Sequence, residues 1–236
     1  MPPSPIVVFD LDGTLADTAA DLIATLNVIL KREGLAPLPV DDARAMIGAG
    51  ARALIGAGAR ALIERGFAAS GREIAPAHLD ELYRFFLAYY AEHICVETQL
   101  YPGVKKALLR LEEAGFRLAV CTNKVEAHSV SLLKQLRVAH RFAAICGRDT
   151  FRYFKPDPRH LTLTIEQAGG RIDQAVMVGD SRTDIVTAQA AGIPSVAVPF
   201  GYTDVPVAEL GPDRVIHHFD ELFDAIQLLT RRADAA

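Results

Sequence analysis

The chain of 236 residues has few cysteines, no surplus of basic residues and no long uncharged apolar run. Its three cysteines (Cys95, Cys121 and Cys146) are odd in number and far apart. This pattern argues against a disulfide framework or a zinc site and favours buried free thiols. The seven histidines show no ligand spacing, so they predict no histidine-based metal site.

The charge balance argues against a nucleic-acid or membrane partner, and the first residues argue against secretion. A net charge of −4 gives no basic surplus for binding a nucleic acid or an anionic membrane. No apolar run approaches the roughly 18 residues that a membrane span needs. The first ten residues, MPPSPIVVFD, lack a basic segment, so we expect no secretory signal and a cytoplasmic protein.

Five short runs rich in β-branched residues predict the strands of a parallel sheet: PIVVFD (5–10), RLAVCT (117–122), FAAIC (142–146), QAVMVGD (174–180) and PSVAVP (194–199). Helical patterns separate the last four runs, which is typical of a sheet covered on both faces. Residues 17 to 99 carry several helical patterns and no convincing strand. This helical stretch is too long for a single crossover connection between two strands. We therefore expect an α/β fold, a Rossmann-like parallel sheet core (residues 1–16 and 97–236) with an inserted small α-helical cap domain (residues 17–96).

Two carboxylates follow the first predicted strand. The strand ends in FDLDGTLAD, where Asp10 and Asp12 can face the same side before Gly13 and Thr14 turn the chain. In open α/β sheets, ligands bind beyond the carboxyl ends of the strands. Two such carboxylates repel each other unless a cation or a proton resolves the conflict. The alternative is an aspartate-rich turn with a helix N-cap at Thr14 or Asp17.

The ends of the other predicted strands carry complementary groups. The second strand ends in Thr122, and with Asn123 and Lys124 after it this stretch provides a hydroxyl, an amide and backbone N–H groups suited to an anion. Lys155 follows the third strand, and the fourth ends in GDSRTD with Asp180 and Asp184. Each of these residues alone fits an ordinary cap or a solvated side chain. Together they supply carboxylates for magnesium, donors for phosphate oxygens and a lysine between the negative charges.

The ordered motifs DLDGT, TN, KP and GDSRTD resemble those of the haloacid dehalogenase-like superfamily. The resemblance covers essentially the whole chain, and the helical insert corresponds to the small cap that these proteins place between the first two motifs. Within the superfamily, the strings FDLDGTLADT, YPGV and VGDSRTDIVTAQAAG look most like those of phosphoglycolate phosphatases, although near relatives share them.

The resemblance implies a phosphatase that works through covalent catalysis. Asp10 would be the nucleophile that attacks phosphorus and becomes an aspartyl phosphate. Asp12 would protonate the leaving alkoxide and then deprotonate the hydrolytic water. Dehalogenases of the superfamily lack an acid at this position, so the DLD sequence favours phosphoryl chemistry.

The resemblance also implies a Mg²⁺ cofactor. The metal ligands would be Asp180, the Asp10 side chain and the Asp12 backbone carbonyl. Three other groups, Thr122, the Asn123 amide and Lys155, would bind the phosphoryl group. Asp184 would orient the lysine or a metal-bound water. Gly13 and Thr14 would support the first turn. The expected partner is a small phosphorylated metabolite, most of all 2-phosphoglycolate, and we expect a monomer or homodimer with no nucleic-acid or membrane partner.

The segment IGAGARALIGAGARAL (residues 47–62) contains the same eight residues twice. It fits the loose glycine fingerprint of dinucleotide-binding loops, but that fingerprint needs a preceding strand and a following acidic residue that the context does not predict. Each copy carries one arginine, Arg52 or Arg60, suited to gripping a small carboxylate from a lid over the site. Eight residues turn a helix by roughly 80° beyond two full turns, so at most one arginine should serve, and we favour Arg52. The alternative is that both are solvated on a helix face.

Other functions stay open on the same core. Sugar-phosphate mutases use it, as do phosphatases of nucleotides, pyrophosphate, sugar phosphates and amino-sugar phosphates. A phosphonate hydrolase would need a Schiff-base lysine in the cap, where Lys31 is the only lysine. A non-enzymatic binding module would not need a complete set of nucleophile, acid and metal ligands. The core motifs indicate the reaction, and contacts from the cap select the molecule.

Overall fold

The computed structural model describes residues 4–40, 58–203 and 205–233, and for residues 231–233 only the backbone. Eight strands lie in this part of the chain: β1 (Ser4–Phe9), β2 (Ala16–Asp17), β3 (Gln99–Leu100), β4 (Arg117–Cys121), β5 (Ala144–Cys146), β6 (Gly170–Gly179), β7 (Ser195–Ala197) and β8 (Arg214–Val215). The same residues contain eight α-helices: α1 (Ala19–Arg32), α2 (Gly58–Ala69), α3 (Pro76–Glu92), α4 (Val104–Glu113), α5 (Glu126–Gln135), α6 (Pro158–Gln167), α7 (Arg182–Ala191) and α8 (Leu222–Ala233).

Six of the strands form one parallel sheet in the order β5-β4-β1-β6-β7-β8. The predicted α/β architecture is therefore confirmed, and all five predicted strands are present. The short edge strand β8 was not predicted, and β6 begins at Gly170, four residues before the predicted start. Among the described helices, none is long and apolar enough to cross a membrane.

The central strand β1 is buried on both faces, which explains its continuous apolar sequence. Alternate residues belong to different apolar clusters because successive side chains of a strand point to opposite faces. Ile6 and Val8 share one cluster with residues of α6 and α7. Val7 and Phe9 share the other with residues of α4, α5 and α8. Helices thus cover both faces of the sheet.

Helices α1, α2 and α3 lie between β2 and β3, where the insert was predicted. Strands β2 and β3 pair antiparallel, with Ala16 opposite Leu100, so the chain leaves and re-enters the sheet region at one ribbon. The buried Asp21 of α1 accepts hydrogen bonds from the backbone N–H groups of residues 96–98 and so ties the two passages together. The predicted boundary after residue 16 falls inside β2. The division into a separate cap domain stays a prediction.

The tandem repeat is described only at its C-terminal end. Its first copy, including Arg52, lies outside the described residues, as do residues 55–57. Helix α2 begins at Gly58 and contains the rest of the second copy. The last glycine of the second copy is thus the first residue of α2.

Candidate active site

The carboxyl ends of three neighbouring parallel strands bring the predicted residues together. Asp10 follows β1, Thr122 follows β4 and Asp180 follows β6, and β1 pairs with both other strands. The backbone N–H of Asp10 extends the ladder by donating a 2.9 Å hydrogen bond to the Val178 carbonyl. The sheet therefore holds the three motif positions side by side at one edge.

Asp10, Asp180 and Asp184 form a buried cluster of carboxylates. Each offers one oxygen, and these three atoms lie within 4.8 Å of one another. Burial raises the pKa of Asp10 to about 6, although the nearby Lys155 opposes the shift. Burial and the charges of Asp184 and Asp10 likewise raise the pKa of Asp180 well above its ordinary value. Negative charge concentrated in this way is stabilised by a cation.

Two donors and a close backbone approach fix the carboxylate of Asp180. The Thr14 hydroxyl donates to Oδ1 at 2.8 Å, and the backbone N–H of Tyr202 donates to Oδ2 at 2.6 Å. Gly13 has a φ of +85°, and a Cβ placed there would lie only 2.4 Å from Asp180 Oδ2. Only glycine combines that backbone conformation with that approach. Gly13 and Thr14 therefore support Asp180 directly.

Lys155 lies between two carboxylates of the cluster. Its Nζ is 2.9 Å from Asp10 Oδ1 and 2.5 Å from Asp184 Oδ1, and its side chain is almost fully buried. Burial works against the charge of Lys155, but Asp10 and Asp184 outweigh it and raise the lysine pKa above its ordinary value. The second oxygen of Asp184 accepts from the N–H and hydroxyl of Ser181, closing a capping box at the start of α7. Asp184 thus orients the lysine while it caps a helix.

The loop after β4 supplies Thr122 and Asn123. Thr122 is buried, and its hydroxyl oxygen accepts a 3.3 Å hydrogen bond from the backbone N–H of Lys124. The side-chain amide of Asn123 donates to the Lys155 carbonyl at 2.9 Å, and its buried Oδ1 has no hydrogen-bond partner among the described residues. The Asn123 side chain therefore connects two motif loops.

In the sequence, Lys124 was named only within the stretch 122–124 and its side chain was given no role, although that side chain contacts the predicted acid. Its Nζ lies 2.9 Å and 3.2 Å from the two carboxylate oxygens of Asp12 and 2.9 Å from the hydroxyl oxygen of Tyr90 in α3. Burial works against the charge of Lys124, but Asp12 and Tyr90 raise its pKa above its ordinary value. Its place directly after Thr122 and Asn123 was the one available signal.

Tyr202 was also missed, and its contacts bear on the alternative interpretation of a helix cap at Thr14 or Asp17. The N-cap residue of α1 is Thr18, not Thr14 or Asp17, and its side chain makes no capping bond. Instead the Tyr202 hydroxyl accepts from the N–H groups of Thr18 and Ala19 at 2.6 Å and 2.9 Å. The same hydroxyl donates to Asp17 Oδ1 at 2.7 Å. Tyr202 therefore joins the start of α1 to Asp180.

The structure does not bring Arg60 to the carboxylate cluster. Its guanidinium pairs with Asp80 and lies 5.0 Å from the ring centre of Tyr83, both in α3. Arg52 lies outside the described residues. The start of α2 does approach the site, because a Cβ placed on Gly58 would lie 3.7 Å from the Asn123 carbonyl oxygen.

A family model described as "Haloacid dehalogenase-like hydrolase" matches residues 7–198. The chain belongs to this family. It is 50% identical over 232 residues to a phosphoglycolate phosphatase of Mesorhizobium japonicum, with 98% of both chains covered. It is 46% identical over 237 residues to a phosphoglycolate phosphatase of Agrobacterium fabrum, with 100% of this chain and 98% of the relative covered.

A solved structure agrees with these relatives. The crystal structure of a "predicted phosphoglycolate phosphatase" of Haemophilus somnus superposes with a TM-score of 0.83 at 30% identity. The alignment covers 95% of this hydrolase and 99% of that chain. The predicted family, its α/β fold and the enzyme class, a phosphatase, are confirmed.

Proposed function

We propose that this hydrolase is a magnesium-dependent phosphomonoesterase that uses an aspartyl phosphate on Asp10, with 2-phosphoglycolate as its substrate. The observation that carries the proposal is the buried group of Asp10, Asp180 and Lys155 beside Asp12 at the carboxyl end of the sheet. The nearly full-length relatives named phosphoglycolate phosphatase support the choice of substrate.

The carboxylate cluster fits a magnesium ion. Asp10 Oδ1 is buried without an aligned hydrogen bond, although Lys155 Nζ lies 2.9 Å away, so this oxygen has capacity for a cation. The Asp10 and Asp180 side chains and the Asp12 backbone carbonyl would hold the ion, an all-oxygen set of the kind that Mg²⁺ prefers. We assign Asp184 to orienting Lys155 because its two oxygens already serve Lys155 and Ser181. When bound, Mg²⁺ supplies positive charge that offsets the carboxylates and the phosphate.

The first half-reaction forms the covalent intermediate. A carboxylate oxygen of Asp10 attacks phosphorus, a new P–O bond forms and the bond from phosphorus to the alcohol oxygen breaks. Asp12 donates its proton to that leaving oxygen. Lys155 and the Thr122 hydroxyl bind the phosphoryl oxygens, whose charge lies next to Asp10 during transfer.

The second half-reaction releases phosphate. Asp12, now ionised, takes a proton from a water molecule, and the water oxygen attacks the phosphorus of the aspartyl phosphate. The bond between phosphorus and the Asp10 oxygen breaks, which restores the carboxylate. One phosphomonoester and one water thus give one alcohol and one inorganic phosphate, and Asp12 ends the cycle protonated.

The proposal is tested by measuring phosphate release from a panel of phosphorylated compounds, with Mg²⁺ and with excess EDTA. We expect 2-phosphoglycolate to have the highest kcat/KM among 2-phosphoglycolate, sugar phosphates, amino-sugar phosphates, nucleotides and pyrophosphate, and EDTA to abolish turnover. A higher kcat/KM on another ester would contradict the substrate, and full activity in EDTA would contradict the metal. The Asp10→Asn variant is the background control for contaminating phosphatases.

A further inference from the structure

A buried cation that the proposed reaction does not use joins the sheet to the helical insert. Lys124 follows β4, its side chain is 6% exposed, and its Nζ contacts Asp12 and the hydroxyl of Tyr90 in α3. Tyr90 is itself 1% exposed. Burying an ammonium is costly unless its partners are well placed, so a simple solvated lysine does not describe this position.

Lys124 and Tyr90 together have hydrogen-bond capacity beyond their mutual contact. An ammonium has three N–H donors, and Lys124 directs them at the two Asp12 oxygens and the Tyr90 hydroxyl. The contact with Asp12 Oδ2 is the longest of the three at 3.2 Å, and Asp12 keeps its other oxygen on Lys124 if a substrate carboxylate replaces this contact. Burial raises the pKa of Tyr90 to about 12, so its hydroxyl accepts from Lys124 and keeps a proton to donate. An ammonium and a phenol hydroxyl side by side are suited to the two oxygens of a carboxylate.

The position of Asp12 places these donors near the alcohol part of the substrate. Asp12 must come within about 2.6–3.2 Å of the ester oxygen to protonate it. Lys124 contacts the same carboxyl group at 2.9 Å. In 2-phosphoglycolate, a single methylene separates the ester oxygen from the carboxylate carbon, so the carboxylate lies within reach of the Lys124 ammonium.

Such a substrate brings more negative charge to the carboxylate cluster than the proposed Mg²⁺ and Lys155 offset. A phosphate dianion brings about −2 and the carboxylate one more negative charge. Lys155 already pairs with Asp10 and Asp184. In the part of the chain that the structure describes, Lys124 is the other lysine paired with a motif aspartate, because it contacts Asp12.

We propose that Lys124, assisted by the hydroxyl of Tyr90, binds the carboxylate on the alcohol part of the substrate. This inference rests on the proposed function and narrows its substrate class to phosphate esters of short hydroxy acids. It also gives the helical insert a role in selection, because Tyr90 belongs to α3.

The test compares two esters of equal chain length, 2-phosphoglycolate and 2-hydroxyethyl phosphate, which carries an alcohol in place of the carboxylate. The readout is the ratio of their kcat/KM values, since the ratio cancels any loss that both substrates share. We expect the wild-type enzyme to prefer 2-phosphoglycolate. Lys124→Met should lower this preference about 10- to 100-fold, the usual effect of losing a charged hydrogen bond. The matched control is Lys134→Met on the exposed surface of α5, which should leave the ratio unchanged.

Two further variants separate binding of the carboxylate from support of Asp12. Tyr90→Phe keeps the buried ring and should lower the preference about 3- to 10-fold. Lys124→Arg keeps the positive charge and should retain most of the preference, which a purely steric role of the lysine would not predict. These two variants also decide the question if Lys124→Met does not fold.

Each result supports or contradicts the inference. An equal loss on both esters in Lys124→Met, with the ratio intact, would mean that the lysine acts only through Asp12 and would overturn the proposal. A loss of preference in Arg148→Met, but not in Lys124→Met, would assign the carboxylate to the neighbouring cation, whose guanidinium lies over the Phe154 ring at 4.9 Å. A wild-type enzyme without any preference would instead contradict 2-phosphoglycolate as the substrate.

Discussion

The backbone N–H of Tyr202 donates a 2.6 Å hydrogen bond to Oδ2 of Asp180, while the Tyr202 hydroxyl accepts from the first N–H groups of α1. Tyr202, in the loop that follows β7, therefore supports both a proposed metal ligand and the start of the helical insert. The backbone part of this link survives any substitution except proline, so the hydroxyl can be tested separately.

Tyr202→Phe should destabilise the fold by about 1–3 kcal/mol, because the buried Thr18 N–H loses its acceptor and Asp17 loses a donor, while the Ala19 N–H keeps only a 3.3 Å contact with Asp17 Oδ1. Urea unfolding measures the change. Tyr153→Phe, which removes a hydroxyl from a half-buried tyrosine stacked with Arg159, is the matched control and should change little. Equal stability of Tyr202→Phe and the wild type would show that water replaces the hydroxyl at the start of α1.

Asp12→Ala should slow the first half-reaction according to the leaving group. On alkyl phosphates, whose alcohol oxygen needs a proton, we expect a loss of about 10²–10⁴-fold. On an aryl phosphate with an acidic phenol the loss should be smaller, and the aspartyl phosphate should accumulate because the same residue activates water. Pre-steady-state phosphorylation rates for both esters provide the measurement. Equal losses would mean that Asp12 acts through structure and not as an acid.

His160 should make the fold less stable in mild acid. It is buried, its Nδ1 accepts from the backbone N–H of Lys155, and its Nε2 contacts the Gly147 carbonyl. Burial, together with the charge of Lys155, lowers its pKa to about 4. Between that value and the ordinary pKa of about 6.5, the unfolded chain binds a proton that the folded chain does not, so stability falls as the pH falls.

The measurement is the difference in unfolding free energy between the wild type and His160→Gln, taken in EDTA at pH 7 and pH 5. The difference cancels the titration of the carboxylates that both proteins share. Between pH 7 and pH 5, we expect the unfolding free energy of the wild type to fall by about 2 kcal/mol relative to that of His160→Gln. A constant difference would show that His160 titrates normally in the folded state.

Deleting Ile55–Leu62 should leave a folded and active enzyme. The deletion joins the first copy of the repeat to Ile63 and restores the complete α2 sequence, GARALIERGFAA, including its buried alanine and leucine. The circular dichroism spectrum should match that of the parent, and the rate of phosphate release should stay within about threefold, because one complete copy of the repeat remains. Deleting Leu62–Ala69, which removes the buried Ile63 and Phe67, is the unstable control. If the first deletion abolished activity, the second copy would have a function of its own.

The residues at the strand ends could be predicted because each lies directly after an apolar run that forms a parallel strand. Their meeting point follows from the sheet, and Asp10, Thr122 and Asp180 lie where neighbouring strands end. The support around them could not be predicted in this way. Lys124 contacts Asp12 across 112 positions, and Tyr202 caps α1 across 184, distances over which no local pattern connects two residues.

In the helical insert, too, the contacts between distant residues could not be predicted from local patterns. Its helices were visible in the sequence, but the pairing of Arg60 with Asp80 was not, because it depends on how α2 packs against α3. The edge strand β8 is only two residues long and has no periodicity to detect. Sequence patterns thus located the proposed reacting groups at the strand ends, and tertiary contacts were needed to find what holds them.

Rapid quench of the enzyme with 2-phosphoglycolate carrying a radiolabelled phosphoryl group tests the central claim most directly. The account predicts that the wild type carries acid-stable label on the peptide containing Asp10 within the first turnover. Asp10→Asn should carry none and should turn over at least about 10⁴-fold more slowly, with its fold intact by circular dichroism. Phosphate release from the wild type without any labelled protein, or substantial multiple turnover by a chemically verified Asp10→Asn variant, would contradict the covalent mechanism.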